Sequence, residues 1–535
     1  MKSQARVAAL ALSVVLLAGC ASNPGDPGPS GAPPVAPSPD IPPPLVPALP
    51  LPQNAVVDAV AELDRLAEEL MSTSGIPGMA VAVVHGGVHG GETVYAKGFG
   101  VKNAELPDDP ANRVGADTVF QLASLSKPLS ATVVARLVSQ NQIGWDTALV
   151  SRLPWFALSD PSVTRMVTVG DMFAHRSGLP DHAGDKLEDL GYDRRQVLER
   201  LGELPLDPFR ISYAYTNFGL TAGAEAAASG TGRSWEDLAA EVLLRPLGMD
   251  ATSYRFSDYQ ASTDRAVGHI LLDGRYQPRY VRDAQAQSPA GGVSSSVNDM
   301  TRWLAMMLAD GRRDGESFID PEALLPAVTP QVVASRGTEP AMRSGFYGFG
   351  FNVGTTAAAR TELSHSGAFE LGAATNVVIL PSADVAIVAL TNATPTGVPE
   401  TLTAQFADLV QFGEIREDWY ALYGKAFADM DRPSGSLAGR QRPADAAPPA
   451  PLPSYAGVYD NAYWGPATVT EGGDRLQLAL GPRGSFELTP WDGDTFTFPV
   501  SSENAPPGTV SAATFEGGRL TLEYFDDEGK GVFIR

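Results

Sequence analysis

Two segments rich in Pro, Gly and Ala divide this sequence and limit what can fold as one unit. Residues 21–52 and 431–453 hold too few large apolar side chains to build a core, and their prolines favour extended conformations. The chain has 535 residues, too many for one ordinary core, so we expect at least two domains. The sequence predicts a tether at 21–52, a main domain at 53–430, a linker at 431–453 and a small domain at 454–535.

The first 20 residues have the pattern of a secretion signal that is cleaved. Lys2 and Arg6 precede an apolar run at 7–18, which is too short to cross a hydrocarbon core of about 30 Å as a helix. The small residues before Cys20 resemble the lipobox of bacterial lipoproteins, in which the cysteine becomes the lipid-modified N-terminus. We therefore expect residues 1–20 to be a lipoprotein signal peptide and the protein to be anchored by lipid outside the cytoplasm. A plain secretory signal with an incidental cysteine is the alternative.

The charge of the chain limits its partners. The formal net charge is -23, and the acidic residues are spread along the whole chain. Nucleic acids and anionic surfaces bind clustered Lys and Arg, so neither is expected as a partner. We expect a small-molecule or peptide substrate, membrane contact through the lipid anchor only, and a monomer. Cys20 is the one cysteine, so an intrachain disulfide is not possible.

The hydrophobic pattern of the main domain predicts an α/β (α+β) fold. Apolar residues recur at helical spacing at 56–70 and 402–410, and a mostly helical stretch runs from about 124 to 260. Segments with strand patterns lie on both sides of that stretch, at 78–84, 93–99, 346–353, 375–380 and 385–390. This arrangement predicts one sheet built from distant parts of the chain, beside an all-α subdomain.

The small domain has a different pattern. Apolar and polar residues alternate in short runs separated by Gly, Asp and Pro turns, as at 476–480, 486–488, 496–498 and 520–522. This predicts a small all-β domain. Trp464 and Trp491 are expected in its core.

The sharpest motif is SLSK at 124–127, followed by Pro128 and a helical run. Pro is compatible with the first turn of a helix, so Ser124 is predicted at a helix N-terminus with Lys127 one turn later on the same face. A serine hydroxyl needs a base to become a nucleophile, and a lysine can serve if its pKa falls through burial. An ordinary helix start with a capping serine is the alternative.

Two further motifs carry polar groups suited to acyl transfer. Tyr215 and Asn217 lie in a polar break between helical segments, where a tyrosine beside a positive lysine is expected to lose its proton easily and shuttle it. Asn217 can hold both the lysine and a substrate amide. A packed aromatic and a turn Asn are the alternative.

The third motif is HSGA at 365–368, which leads into the late strands. Gly367 on an edge strand would let a substrate backbone approach, and the amides of Ala368 and Ser124 could hold an oxyanion. His365 could orient a substrate or donate a proton, and a surface loop is the alternative. His175 and His269 are expected to be structural.

In this order, Ser-x-x-Lys, Tyr-x-Asn and His-x-Gly resemble the serine penicillin-recognising superfamily, especially class C β-lactamases, D-Ala-D-Ala peptidases and related esterases. The supporting stretches are FQLASLSKPLS around Ser124, HRSGLPDH at 175–182, LLRPLGM ending at 249 and SPAGGVSSSVNDM at 288–300. The resemblance covers about residues 54–415. It implies a β-lactamase-like αβα sandwich with an antiparallel sheet, an all-α subdomain and a site between them. YAGVY at 455–459 and the closing VFIR resemble the barrel-like β domains appended to some of these hydrolases.

The resemblance also implies roles for individual residues. Ser124 would be the nucleophile, Lys127 its activating partner and Tyr215 the proton-transfer residue. Asn217 would position substrate and lysine. The oxyanion and substrate would contact Ser124, Ser366, Gly367 and Ala368.

His365 replaces the lysine typical of β-lactamases, and neutral imidazole binds a carboxylate less firmly than ammonium does. We therefore expect a serine hydrolase of the D-amino-acid peptidase or esterase type, with weak lactam hydrolysis at most, and no cofactor or metal. A catalytically idle cell-envelope binding lipoprotein is the alternative.

Overall fold

The structure, a computed structural model, describes residues 43–87, 91–428, 430 and 432–535. The predicted signal peptide, Cys20 and most of the predicted tether lie outside these residues. Within the described part of the chain, no helix combines the length and the apolar character needed to cross a bilayer.

Eight antiparallel strands form the main sheet: β1 (Gly78–His85), β2 (Glu92–Gly100), β3 (Val332–Ser335), β4 (Gly345–Tyr347), β5 (Asn352–Thr355), β6 (Thr361–Phe369), β7 (Ala373–Leu380) and β8 (Val385–Thr391). Their order across the sheet is β2-β1-β8-β7-β6-β5-β4-β3. β1 pairs with β8, so that Met79 lies opposite Thr391. The predicted sheet from distant parts of the chain is therefore confirmed. The single strand predicted at 346–353 is instead two strands, β4 and β5, which pair with each other.

Helices cover both faces of this sheet, and they are α1 (Ala55–Ser74), α2 (Ser126–Ser139), α3 (Leu149–Arg152), α4 (Pro161–Met166), α5 (Val169–Phe173), α6 (Asp185–Asp189), α7 (Arg194–Arg200), α8 (Asn217–Ala228), α9 (Trp235–Ala239), α10 (Arg245–Leu247), α11 (Phe256–Ala261), α12 (Ser288–Gly291), α13 (Val297–Leu308), α14 (Pro321–Leu324), α15 (Val398–Phe412) and α16 (Trp419–Phe427). Successive side chains of a strand point to opposite faces, and the buried residues of β1 follow that rule. Val81 joins the core under α1 and α15, whereas Ala82 joins the core shared with α13 and the helical subdomain. The αβα arrangement with its all-α subdomain is therefore confirmed.

A second sheet follows, with strands β9 (Gly457–Tyr459), β10 (Ala467–Gly472), β11 (Arg475–Leu480), β12 (Gly484–Asp492), β13 (Thr495–Pro499), β14 (Val510–Glu516), β15 (Arg519–Leu522) and β16 (Val532–Ile534). Each strand pairs with the next in an antiparallel meander. Asp460 and Ile534 exchange backbone hydrogen bonds of 2.7 and 3.0 Å, which link the first strand to the last. The sheet is thus a nearly closed barrel, as expected for the small domain.

The predicted linker lies against this barrel. The nitrogen of Val510 donates to the carbonyl of Ser434 over 3.1 Å, and Gly493 donates to Ala447 over 3.0 Å. The Pro-rich segment is therefore ordered by backbone contacts with the strands that follow it.

The barrel and the helical subdomain share one hydrophobic core. Leu187, Leu190 and Tyr192 belong to the same buried cluster as Trp464 and Leu478 of the barrel. The Tyr192 hydroxyl also donates to the Trp464 carbonyl over 2.7 Å. Trp464 is 1% exposed, as predicted for a core residue. Trp491 is only half-buried, so its prediction as core was wrong.

Replacing Trp464 should therefore destabilise more than the barrel. We expect Trp464→Ala to lower the free energy of unfolding by about 3–5 kcal/mol, because it leaves a large cavity in a shared core. Urea unfolding followed by circular dichroism should still give one transition. Trp491→Ala is the matched control and should cost much less; equal losses for the two variants would contradict the shared core.

Candidate active site

Ser124 lies in a short 3₁₀ turn, Ala123–Leu125, directly before α2. The helix itself begins two residues later than predicted, at Ser126. Ala123 is buried and has φ 47°, a left-handed conformation that costs a non-glycine residue roughly 1–3 kcal/mol. The Ser126 hydroxyl holds this turn by donating to the Ala123 carbonyl over 2.6 Å. The strained turn leaves Ser124 partly exposed between two buried neighbours.

Lys127 is fully buried beneath Ser124. Its Nζ lies 3.0 Å from Ser124 Oγ, 2.7 Å from Asn217 Oδ1 and 2.9 Å from the Ala290 carbonyl oxygen. Burial lowers the pKa of Lys127 to about 7, although the nearby Asp185 opposes this shift. A neutral amine has two N–H groups, and the Asn217 and Ala290 oxygens accept both. Its lone pair then faces the Ser124 hydroxyl, which is the arrangement of a general base.

Tyr215 contacts the same serine from the other side. Its hydroxyl donates to Ser124 Oγ over 2.8 Å, and its ring lies 4.5 Å from Lys127 Nζ. We expected this tyrosine to lose its proton easily, and the structure indicates the opposite. Burial raises the pKa of Tyr215 above its ordinary value, so the phenol keeps its proton. The site at rest therefore pairs a neutral phenol with a weakly basic lysine.

Asn217, the first residue of α8, links Lys127 to an acidic residue that the sequence reasoning missed. Its Nδ2 donates to Asp185 Oδ2 over 2.8 Å, and His182 Nδ1 lies 2.7 Å from the same oxygen. Burial alone would lower the pKa of His182, but the hydrogen bond to Asp185 and the negative charges of Asp185 and Asp181 together raise that pKa to about 9. His182 and Asp185 thus form an ion pair that fixes the Asn217 amide. The sequence signal that could have identified Asp185 is an acidic residue three positions after the HRSGLPDH stretch.

Strand β6 passes beside the nucleophile. A methyl group at Gly367 would lie 2.2 Å from the Leu122 carbonyl oxygen and 3.1 Å from the Ser124 nitrogen. Only glycine allows the strand and the nucleophile turn to approach this closely. β6 is an interior strand rather than the predicted edge strand. Its pairing with β5 nevertheless stops at Ser364, so the part that holds Gly367 and Ala368 is open on that side.

Ser366 is the predicted site residue whose side chain the structure does not bring to Ser124. Side chains alternate along β6, and Gly367 faces the nucleophile, so Ser366 points to the opposite face. There its hydroxyl accepts from Asn376 Nδ2 over 2.9 Å, and Asn376 Oδ1 accepts from Thr403 of α15 over 2.7 Å. Ser366 therefore contributes only its main chain to the part of β6 that lies beside Ser124.

His365 is a neutral residue held from both sides. Its Nδ1 lies 2.6 Å from the Ser366 carbonyl oxygen, which can only accept, so Nδ1 carries the proton. Nε2 is then free to accept from the Tyr347 hydroxyl, 2.9 Å away. Burial, helped by Lys127, lowers the pKa of His365 to about 3. The suggestion that His365 donates a proton fits this geometry poorly, and a positioning role fits it well.

The two histidines predicted to be structural pack inside the protein, as expected. His175 is buried against the rings of Tyr213, Tyr215 and Tyr347. His269 accepts from the Ala104 nitrogen over 3.0 Å and lies 3.0 Å from the Asn392 carbonyl. Both connect loops rather than face Ser124.

A serine joined to a buried lysine and a tyrosine, between an antiparallel sheet and a helical subdomain, defines a class of serine hydrolases that work by acyl transfer. The chain belongs to the beta-lactamase family, whose model matches residues 63–412. It is a hydrolase of the β-lactamase and penicillin-binding protein superfamily. A second model, described as a domain of unknown function (DUF3471), matches residues 441–531.

Individual relatives span several hydrolases. The chain is 28% identical over 422 residues to an unguisins hydrolase of Aspergillus campestris, covering 73% of each protein. It is 30% identical over 251 residues to penicillin-binding protein 4 of Amycolatopsis lactamdurans, covering 44% of this chain and 60% of that protein. The octameric penicillin-binding protein homologue from Pyrococcus abyssi superposes with a TM-score of 0.57 at 20% identity, covering 89% of this chain and all of that one. This last likeness supports the fold.

The close approach of Gly367 to the nucleophile turn can be tested by substitution. We expect Gly367→Ala to reduce kcat for ester hydrolysis by about 100-fold, because the methyl group must push β6 away from Ser124. Gly354→Ala is the matched control, since a methyl group there would meet nothing nearer than 4.0 Å. Kinetics on a p-nitrophenyl ester would measure both variants, and wild-type kcat in Gly367→Ala would contradict the assigned contact.

Proposed function

We propose that this protein hydrolyses amide or ester bonds through a covalent acyl-enzyme on Ser124. The observation that carries this proposal is that Lys127 Nζ lies 3.0 Å from Ser124 Oγ while the Asn217 and Ala290 oxygens accept its N–H groups. Ser124 Oγ attacks the substrate carbonyl and its proton passes to Lys127 Nζ. A bond forms between Oγ and the carbonyl carbon, and the carbonyl oxygen becomes an oxyanion.

The main-chain amides of Ser124 and Ala368 are the proposed donors to that oxyanion. When the tetrahedral intermediate collapses, the leaving nitrogen or oxygen takes the proton of the Tyr215 phenol, which burial keeps in place. Tyr215 regains a proton from the Lys127 ammonium through a water molecule, because the acylated Ser124 oxygen has no proton to pass on. A water molecule then attacks the acyl carbon and gives a proton to Lys127. The bond between that carbon and Ser124 Oγ breaks, Oγ takes the proton back from Lys127, and the acid leaves.

We propose D-amino-acid peptides and small esters as substrates, ahead of β-lactams. A neutral His365 offers no positive charge for the carboxylate that penicillins and free peptide C-termini carry, which favours esters and internal peptide bonds. The open part of β6 presents main-chain groups along which an extended substrate can lie. Relatives include both a hydrolase of unguisins and a penicillin-binding protein.

We also propose that the enzyme works outside the cytoplasm on a lipid anchor at Cys20. This rests on the pattern of the first 20 residues alone. The Pro-rich segment at 21–52 would hold the catalytic domain away from the membrane.

Covalent labelling tests the nucleophile. We expect wild-type protein to react with a fluorescent fluorophosphonate and Ser124→Ala to show no labelling, because no other serine contacts Lys127 and Tyr215 within the described part of the chain. Ser229→Ala, which removes an exposed serine after α8, should label like wild type. Intact-mass spectrometry with D-amino-acid amides, p-nitrophenyl esters and penicillin would identify the acyl group by its added mass. Full labelling of Ser124→Ala would exclude the mechanism.

The pH profile tests the base. Because the pKa of Lys127 is lowered to about 7, kcat/KM should be constant above that pH and fall as the lysine takes up a proton below it. Asp185 favours the charged lysine, so Asp185→Asn should move this acid limb to lower pH. Initial-rate assays from pH 5 to 9 would show both effects. An acid limb with the same midpoint in wild type and Asp185→Asn would contradict the role of Lys127.

A further inference from the structure

A loop of the barrel contacts the turn that follows the catalytic strand. The barrel loop, residues 500–509, joins β13 to β14. The Glu503 carboxylate, 12% exposed, accepts from the main-chain nitrogens of Glu370 and Leu371 over 2.9 and 3.3 Å. These two nitrogens belong to the turn between β6 and β7, and they begin two residues after Ala368. The barrel thus holds the end of the strand that supplies the proposed oxyanion donor.

The same loop also holds α6. Asp189 Oδ2, at the end of this helix, accepts from Ser502 Oγ over 2.7 Å and from Asn504 Nδ2 over 2.9 Å. Asp185 begins the helix and binds the Asn217 amide. Asp189 lies four residues after Asp185, about 6 Å along the helix axis, so a shift of α6 at one end also moves the other. The barrel loop is therefore connected to the residue that orients Lys127.

A buried arginine completes the junction. Arg282 is 7% exposed and donates to Glu188 of α6 over 2.5 Å, while its Nε lies 3.8 Å from Glu503. A buried guanidinium needs compensating charge, and one of the three acidic side chains around it, Glu188, Asp189 and Glu503, comes from the barrel. The turn after β6, the middle of α6 and the barrel loop consequently meet around one charge.

These polar contacts are not the only attachment of the barrel. The shared core around Trp464 and Tyr192 also attaches it. The loop instead directs its carboxylate and amide to the two elements that position the catalytic groups, and a contact that served attachment alone could lie anywhere on the interface.

We infer that the barrel loop is a positioning part of the active site, in which Glu503 fixes the oxyanion strand β6 and Ser502 and Asn504 fix α6. This inference rests on the proposed acyl-enzyme function. It assigns the β domain a role in the catalytic step, because the oxyanion donors act only when the tetrahedral intermediate forms. The loop should therefore influence kcat more than KM.

Glu503 variants of the full chain test this. We expect Glu503→Ala to lower kcat for ester hydrolysis and the rate of fluorophosphonate labelling by about tenfold or more, with KM changed less than about threefold. Glu503→Gln keeps one acceptor oxygen and should recover most of the rate. Glu523→Ala is the matched control, since Glu523 also accepts main-chain nitrogens, those of Ser436 and Ala512, but within the barrel and its linker.

A second variant guards against a folding defect in the first. Asn504→Asp places a carboxylate against Asp189 and should push the loop from α6, with the same loss of kcat in protein that circular dichroism shows to be folded. Wild-type kcat and labelling rates in folded Glu503→Ala and Asn504→Asp would overturn this inference and leave the proposed function intact. A wild-type protein that is neither labelled nor active would overturn both.

Discussion

The burial of one amine underlies the whole site. Lys127 is completely enclosed, and a charged ammonium there would lose its hydration without a carboxylate in direct contact. The protein resolves this by favouring the neutral form and by supplying two oxygen acceptors, from Asn217 and Ala290. These acceptors come from α8 and α12, so three helices must meet around the amine before its lone pair can face Ser124. Packing of the helical subdomain therefore sets the chemistry of the base.

The sheet and the helices contribute different kinds of group. The helical subdomain supplies the reacting side chains, whereas β6 supplies main-chain groups and Gly367, which has no side chain. Gly367 allows the two sets to meet, because any larger residue would separate the strand from the nucleophile turn. α6 belongs to both arrangements, since it contacts the Asn217 amide at one end and the barrel at the other. The site is thus assembled from three packed units, which are the helical subdomain, the main sheet and the barrel.

The sequence predicted what is local or tied to a recognisable motif. The spacing of Ser124 and Lys127 on a helix start and the order of the three motifs identified the groups that the structure brings together. β1, β7 and β8 were predicted because buried apolar runs are distinctive, whereas the limits of β6 were not, because polar residues interrupt it. Protonation states could not be read from the chain, since Tyr215 and Lys127 owe theirs to burial by distant segments. The ion pair of His182 and Asp185, the partner of His365 and the outward direction of Ser366 likewise depend on long-range packing.

The pairing of β1 with β8 has a kinetic consequence. Met79 and Thr391 are neighbours in the sheet, yet the entire helical subdomain lies between them in sequence. Chains dominated by such distant pairings fold slowly, because a long loop must close, at a cost in entropy, before the strand contacts that stabilise it can form. Until β8 is available, the β1–β2 hairpin presents an apolar edge with unsatisfied main-chain groups, a template for association with other chains. This edge is exposed during synthesis until β8 has been made and has paired, so the same long-range pairing that completes the sheet also makes the site late to form.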